Sequence, residues 1–75
     1  MKSYENAGGD SAVVAFENGD GSIKVKFVDG SVYLYTYRNT GGINVEQMKK
    51  YAGIGHGLNG FISRFVGKES GARLK

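Results

Sequence analysis

Seventy-five residues make one domain, near the lower limit at which a hydrophobic core stabilises a fold unaided. With no cysteine and one histidine, a disulfide framework, a zinc site and thiol chemistry are excluded; a reducing cytoplasm fits this usage, and so small a core makes a homo-oligomer the expectation. The net charge of +3 is uneven: residues 1–37 carry three basic and five acidic side chains, residues 38–75 seven and two. A basic second half invites an anionic partner (nucleic acid, nucleotide or acidic protein surface) or simply keeps a small protein soluble.

No apolar run approaches the roughly 18 residues of a membrane span, and residues 1–10 lack the apolar core of a signal peptide, so a soluble, unexported chain with no membrane partner is expected. Those ten residues are polar and aperiodic and read as a flexible N-terminal segment ahead of one domain over residues 11–67. Ser11 to Glu17 is a short β-type run, apolar on both faces, with Ala12, Val14 and Phe16 on one and Val13 and Ala15 on the other. Turn residues Asn18 to Gly21 follow, and Ser22 to Val28 then alternates as a half-buried strand, Ile23, Val25 and Phe27 inward and Lys24 and Lys26 outward.

Asp29-Gly30 is a hairpin signal. A two-residue turn there pairs Phe27 with Val32, Lys26 with Tyr33, Val25 with Leu34 and Lys24 with Tyr35. The core face then carries Ile23, Val25, Phe27, Val32 and Leu34, and the open face Lys24, Lys26, Tyr33, Tyr35 and Tyr37. Such a face serves as sheet-stabilising decoration, as a self-association surface or as a stacking platform for bases. A three-residue turn with a bulge would shift the register by one and dissolve it.

Arg38 to Ile43 reads as a loop. Asn44 with Gln47 suits a capping box that opens a helix through Tyr51, its inner stripe being Val45, Met48 and Ala52. Next comes the segment on which the functional reading turns, Tyr51 to Val66, with Gly53, Gly55, Gly57 and Gly60 leading into Leu58, Phe61, Ile62, Phe65 and Val66 at helical spacing. A second helix is expected to begin near Asn59. The glycines leave its first backbone N–H groups open to a phosphate or carboxylate, or else merely form a flexible connector. Gly55 to Gly60 also satisfies G-x-G-x-x-G, but a helix precedes it where a dinucleotide-binding unit needs a strand, and the chain ends before an acidic partner about 20 residues on. Gly67 suits a helix stop, and residues 68–75 read as a short basic tail. The expected fold is α+β: a small antiparallel meander of about three strands covered on one face by two short helices.

Phe27, Gly30, Tyr33 and Tyr35 form an F-x-x-G-x-x-Y-x-Y pattern, and Gly55, Asn59 and Ile62 match the later part of an S-x-G-x-x-x-N-x-x-I pattern after a helix. In this order of features, over roughly residues 13–66, the chain resembles the KTSC domain, a small module found at the C-terminus of some lysyl-tRNA synthetases and alone in bacterial and phage proteins. Gly53 stands at that pattern's serine position, and the Val-Pro that usually follows the tyrosine pair is missing. The resemblance implies the α+β fold and, through the synthetases, an association with nucleic acid; it implies no activity.

His56 is the one imidazole, and no Ser-His-Asp set or close carboxylate pair accompanies it, so no catalytic residue, metal ligand or cofactor is assigned. The expected function is non-enzymatic binding of a phosphate-bearing ligand. Gly55, His56, Gly57 and Asn59 would hold the anion with Arg64 and Arg38 beside them, and the tyrosines would stack. The ligand is a nucleic acid or, given the modest charge, a small nucleotide signal of the kind a phage counter-defence protein would sequester. The alternative is a protein-interaction or inhibitor module that docks through the tyrosine-rich face.

Overall fold

The computed structural model describes residues 1–6 and 12–75. Ala7 to Ser11, which hold the end of the expected N-terminal segment and the start of the expected first domain strand, lie outside the described residues. Strands β1 (Lys2–Ser3), β2 (Val13–Gly19), β3 (Ser22–Phe27), β4 (Val32–Thr36) and β5 (Ala72–Arg73) form one antiparallel sheet in chain order. The class is α+β, as the pattern of elements implies, but the sheet has five strands rather than about three.

Along β3 the period of two behaves as written: Ile23, Val25 and Phe27 are buried, while Lys26 is exposed. Strand β2 could not obey the same period, because Val13 and Phe16 are three residues apart and both are buried. A bulge between Val13 and Ala15 resolves this. Val13 pairs with Phe27 and Phe16 with Val25, and Val14 is left facing out.

The β3–β4 hairpin departs from the expected register. Its loop is the three residues Val28-Asp29-Gly30, closed by Phe27 N–H donating to Ser31 O at 2.9 Å and Gly30 N–H to Phe27 O at 2.9 Å, with Gly30 at φ 88°. Asp29 Oδ1 fastens the turn by accepting from the Ser31 backbone N–H (2.9 Å) and hydroxyl (2.6 Å). Every pairing therefore moves by one, so Val25 faces Tyr33 and Ile23 faces Tyr35. Both tyrosines belong to the core, at 6% and 0% exposure, and the tyrosine-lysine face does not exist. Tyr33 meets Phe27 edge-on at 5.9 Å and stacks on Tyr35 at 6.3 Å. The Tyr35 hydroxyl donates to Lys68 O at 2.8 Å, which satisfies the polar end of a ring that is otherwise enclosed. Burial pushes the pKa of that hydroxyl well above the usual phenol range.

After β4 the expected loop is a short helix, α1 (Tyr37–Thr40). Thr36 caps it by accepting from Asn39 N–H at 3.1 Å, and the Asn39 side chain accepts from Thr36 N–H at 2.8 Å. Helix α2 (Gly42–Ile54) starts three residues earlier than Asn44 would allow as a cap, and Asn44 instead donates to Thr40 O. Its stripe of Val45, Met48 and Ala52 is buried against the sheet as the spacing predicts. Gly55, in the left-handed conformation, ends it with its N–H on Tyr51 O.

Helix α3 (Leu58–Phe61) passes directly into a π-helical turn, Ile62–Val66, closed by Gly67 N–H on Ile62 O. In a regular helix, at about 100° per residue, Phe65 would fall in the middle of the buried stripe. The wider turn advances each residue by less, so Leu58 and Ile62 stay in the core while Phe65 is carried to the edge beside Phe61, 68% exposed.

Both ends of the chain are also part of the fold, against the expectation of a loose start and a frayed basic tail. Lys2 and Ser3 pair with Phe16 and Ala15; the Tyr4 ring is buried, and its hydroxyl accepts from Leu58 N–H at 3.2 Å. At the other end a 3₁₀ turn (Lys68–Ser70) leads into β5, which pairs with Tyr33 and Leu34. Lys68 Nζ reaches Asp29 at 3.3 Å and lies 4.6 Å from the centre of the Phe27 ring.

Candidate functional site

The last turn of α2 and the start of α3 stand side by side because Gly55, His56 and Gly57 reverse the chain within three residues. Gly57 lies directly on the Tyr51 ring: a side-chain carbon there would come within 3.1 Å of it. Tyr51 and Phe61 are 5.4 Å apart, and Phe61 and Phe65 are 5.3 Å apart, both tilted, so three rings form a ladder along the surface. Beside them runs an open groove of about 550 Å³. Tyr51, Ile54, Phe61 and Phe65 give it an apolar wall, Gly57 and Gly60 leave it unobstructed, and His56 and Arg64 supply its polar groups.

No family model, curated protein or solved structure matches this chain. The groove is therefore read from its own geometry. Its rings can stack on a planar ligand, and an exposed imidazole and guanidinium at the same place can hold an anion.

Of the residues expected to form an anion site, His56, Gly57 and Arg64 come together on this groove. Gly55 does not. It is buried under Glu5, whose Cβ would be 2.5 Å and carboxylate oxygen 3.0 Å from a side-chain carbon at Gly55. Asn59 is half-buried and is not part of the lining. The open row of N–H groups expected at the helix start is curtailed as well, since Leu58 N–H is taken by the Tyr4 hydroxyl and α3 itself is only four residues long. Arg38 sits on α1, at the far end of the 13-residue α2, roughly 20 Å away at about 1.5 Å per residue, and cannot share the site.

The expected stacking residues are dispersed. Tyr33 and Tyr35 are in the core, and Lys24 and Lys26 lie on the opposite, helix-free face with Val32 and Leu34, Lys24 paired with Glu17 at 3.7 Å. Tyr37 is half exposed and donates to Glu46, which raises the pKa of its hydroxyl and lowers that of the Glu46 carboxyl. The rings that do line a groove, Tyr51, Phe61 and Phe65, fall by sequence spacing on helix and core positions. The sequence does carry a trace of them, in that Phe61 and Phe65 are i, i+4 neighbours and so share a face of their own. Among the described residues no group of three or more His, Cys, Asp or Glu side chains is placed to hold a metal, and no helix is long and apolar enough to cross a membrane.

Proposed function

We propose that the chain is a non-enzymatic binding protein, acting in the cytoplasm, for nucleotides or similar ligands that join a flat base to phosphate. The observation that carries this is the Tyr51–Phe61–Phe65 ladder with Arg64 and His56 on the same groove. Bases stack on the rings and the guanidinium takes phosphate, a division of labour in which each part of the ligand meets its own chemistry. The groove's size falls in the range of small-ligand sites. A net charge of +3 is low for a polynucleotide binder working by phosphate contacts alone, and the KTSC resemblance in the sequence agrees with a nucleic-acid-related ligand. Sequestering such a nucleotide, rather than converting it, is the activity that follows.

A thermal-shift panel of nucleosides, nucleotides and short single strands tests the reading. A ligand at about 100 times its dissociation constant adds about 2.7 kcal/mol, a melting shift of about 10 °C or more for a domain of this size. Phe65→Ala with Arg64→Gln should abolish the shift, while the unliganded melting point stays nearly constant because both side chains are exposed. A shift that survives in the double variant places the ligand elsewhere. Exposed Phe65 and Ile54 favour one second reading, docking of a protein partner or another copy on the same groove; in that case the double variant changes mass in solution or partner capture and no nucleotide shifts the melt.

A further inference from the structure

Resting on that reading, we propose that the groove takes a nucleotide with a single phosphoryl group, as a monophosphate or a cyclic phosphodiester, and gains nothing from a polyphosphate. Sites for di- and triphosphates draw on several converging donors: consecutive backbone N–H groups of a glycine loop leading into a helix, together with more than one cation. The glycine loop here has the sequence for such a cradle, but two of its N–H groups are engaged within the fold. Gly55 N–H donates to Tyr51 O at 3.0 Å, and Leu58 N–H donates to the Tyr4 hydroxyl at 3.2 Å. Glu5 lies over Gly55, so a phosphate moving toward that end of the loop would meet a carboxylate.

The supply of positive charge is equally limited. Arg64 is the one guanidinium in the lining, and no lysine joins it. Lys49 is engaged with Gly19 O at 2.7 Å and Glu46 at 3.5 Å, Lys68 with Asp29, and Lys50, exposed on α2 directly before Tyr51, is not part of the lining. What the groove has in excess is ring surface. Binding is therefore led by the base, with one phosphoryl group on Arg64 and His56, and a second or third phosphate would project into water or toward Glu5.

Calorimetric titration of the full chain at fixed ionic strength decides this, with the nucleoside, 5′-monophosphate, 3′,5′-cyclic monophosphate and triphosphate of adenine and of guanine as probes. In at least one base series, a single-phosphate form should bind five-fold or more tighter than the nucleoside and at least as tightly as the triphosphate; which of the two forms is tighter separates the free ester from the diester. Arg64→Gln together with His56→Ala should bring the single-phosphate form down to the nucleoside's affinity, and the triphosphate comparison needs no variant at all. A triphosphate more than ten-fold tighter than either single-phosphate form overturns the inference and leaves the groove a nucleotide site. A ten-residue single strand more than a hundred-fold tighter, with affinity falling steeply with salt, overturns it in favour of a polynucleotide. If neither nucleosides nor nucleotides bind, the inference and the reading beneath it fall together.

Discussion

Replacing Tyr4 by Phe removes one oxygen from a side chain that the sequence places in a loose end and the structure places in the core. The ring, 6% exposed, keeps its packing in the variant. What changes is Leu58 N–H, a buried donor whose 3.2 Å partner disappears in a space already filled by the remaining ring. An unsatisfied buried group of this kind costs about 1–3 kcal/mol. A 75-residue domain has a total stability of about 4–11 kcal/mol, so the loss is a substantial fraction of the whole. The melting point should fall by about 4 °C at the least.

Urea unfolding followed by far-ultraviolet circular dichroism measures the change, with the slope against denaturant unaltered if only stability moves. Hydrogen exchange supplies the residue-level check, because the Leu58 amide should lose protection in the variant more than amides of β3 do. Tyr4→Ala, which also empties the ring's site, should cost about 3–5 kcal/mol. A Tyr4→Phe change within about 0.5 kcal/mol, the range of ordinary surface substitutions, would refute the reasoning and return the N-terminal segment to solvent.

Two further outcomes test the hairpin. Tyr35→Ala should cost about 3–5 kcal/mol, and Tyr35→Phe, which frees Lys68 O, about 0.5–1.5 kcal/mol; equilibrium unfolding that shows both variants as stable as the parent would restore the register that faces Tyr35 to solvent. Acid titration tests the turn. The Ser31 hydroxyl and backbone N–H, and then Lys68, hold the Asp29 carboxyl at about 2, below its ordinary 3.8. The folded value is the lower one, so this contribution is complete above pH 3.8 and is lost as pH falls toward 2. Asp29→Asn should remove that part of the acid dependence in melts taken across this window, and a variant with the parent's full acid slope would count against the turn as described.

The elements that the sequence declares are those with enough positions to show a period. Ile23, Val25 and Phe27 declare β3, and Val45, Met48 and Ala52 declare the inner face of α2. Strand β4 is different. Val32-Tyr33-Leu34-Tyr35 is apolar or aromatic on both faces, so its pattern fits either register, and Asp29-Gly30 belongs equally well to a two-residue or a three-residue loop. Only the turn's hydrogen bonds decide, and they bury the tyrosines. Strands β1 and β5 are two residues each and too short for periodicity of any kind. The bulge in β2 and the π turn each alter the geometry without altering the residue spacing. The second of these hid the site, because Phe65 reads as the centre of a buried stripe and becomes the exposed end of a ring ladder.

The strand order has a consequence for how the chain assembles. Each of β1 to β4 pairs with its neighbour in sequence, so the meander forms from contacts of short loop length, and such contacts are quick to close. Only the β4–β5 pairing spans the helical segment, from Tyr33 to Arg73. Among the strand pairings that ladder closes the longest loop, and it does so with only two residues of pairing, so it is weakly held against fraying. The glycine loop and the aromatic groove belong to the segment enclosed by that closure, so the two short β4–β5 pairs tether the far end of the segment that carries the groove.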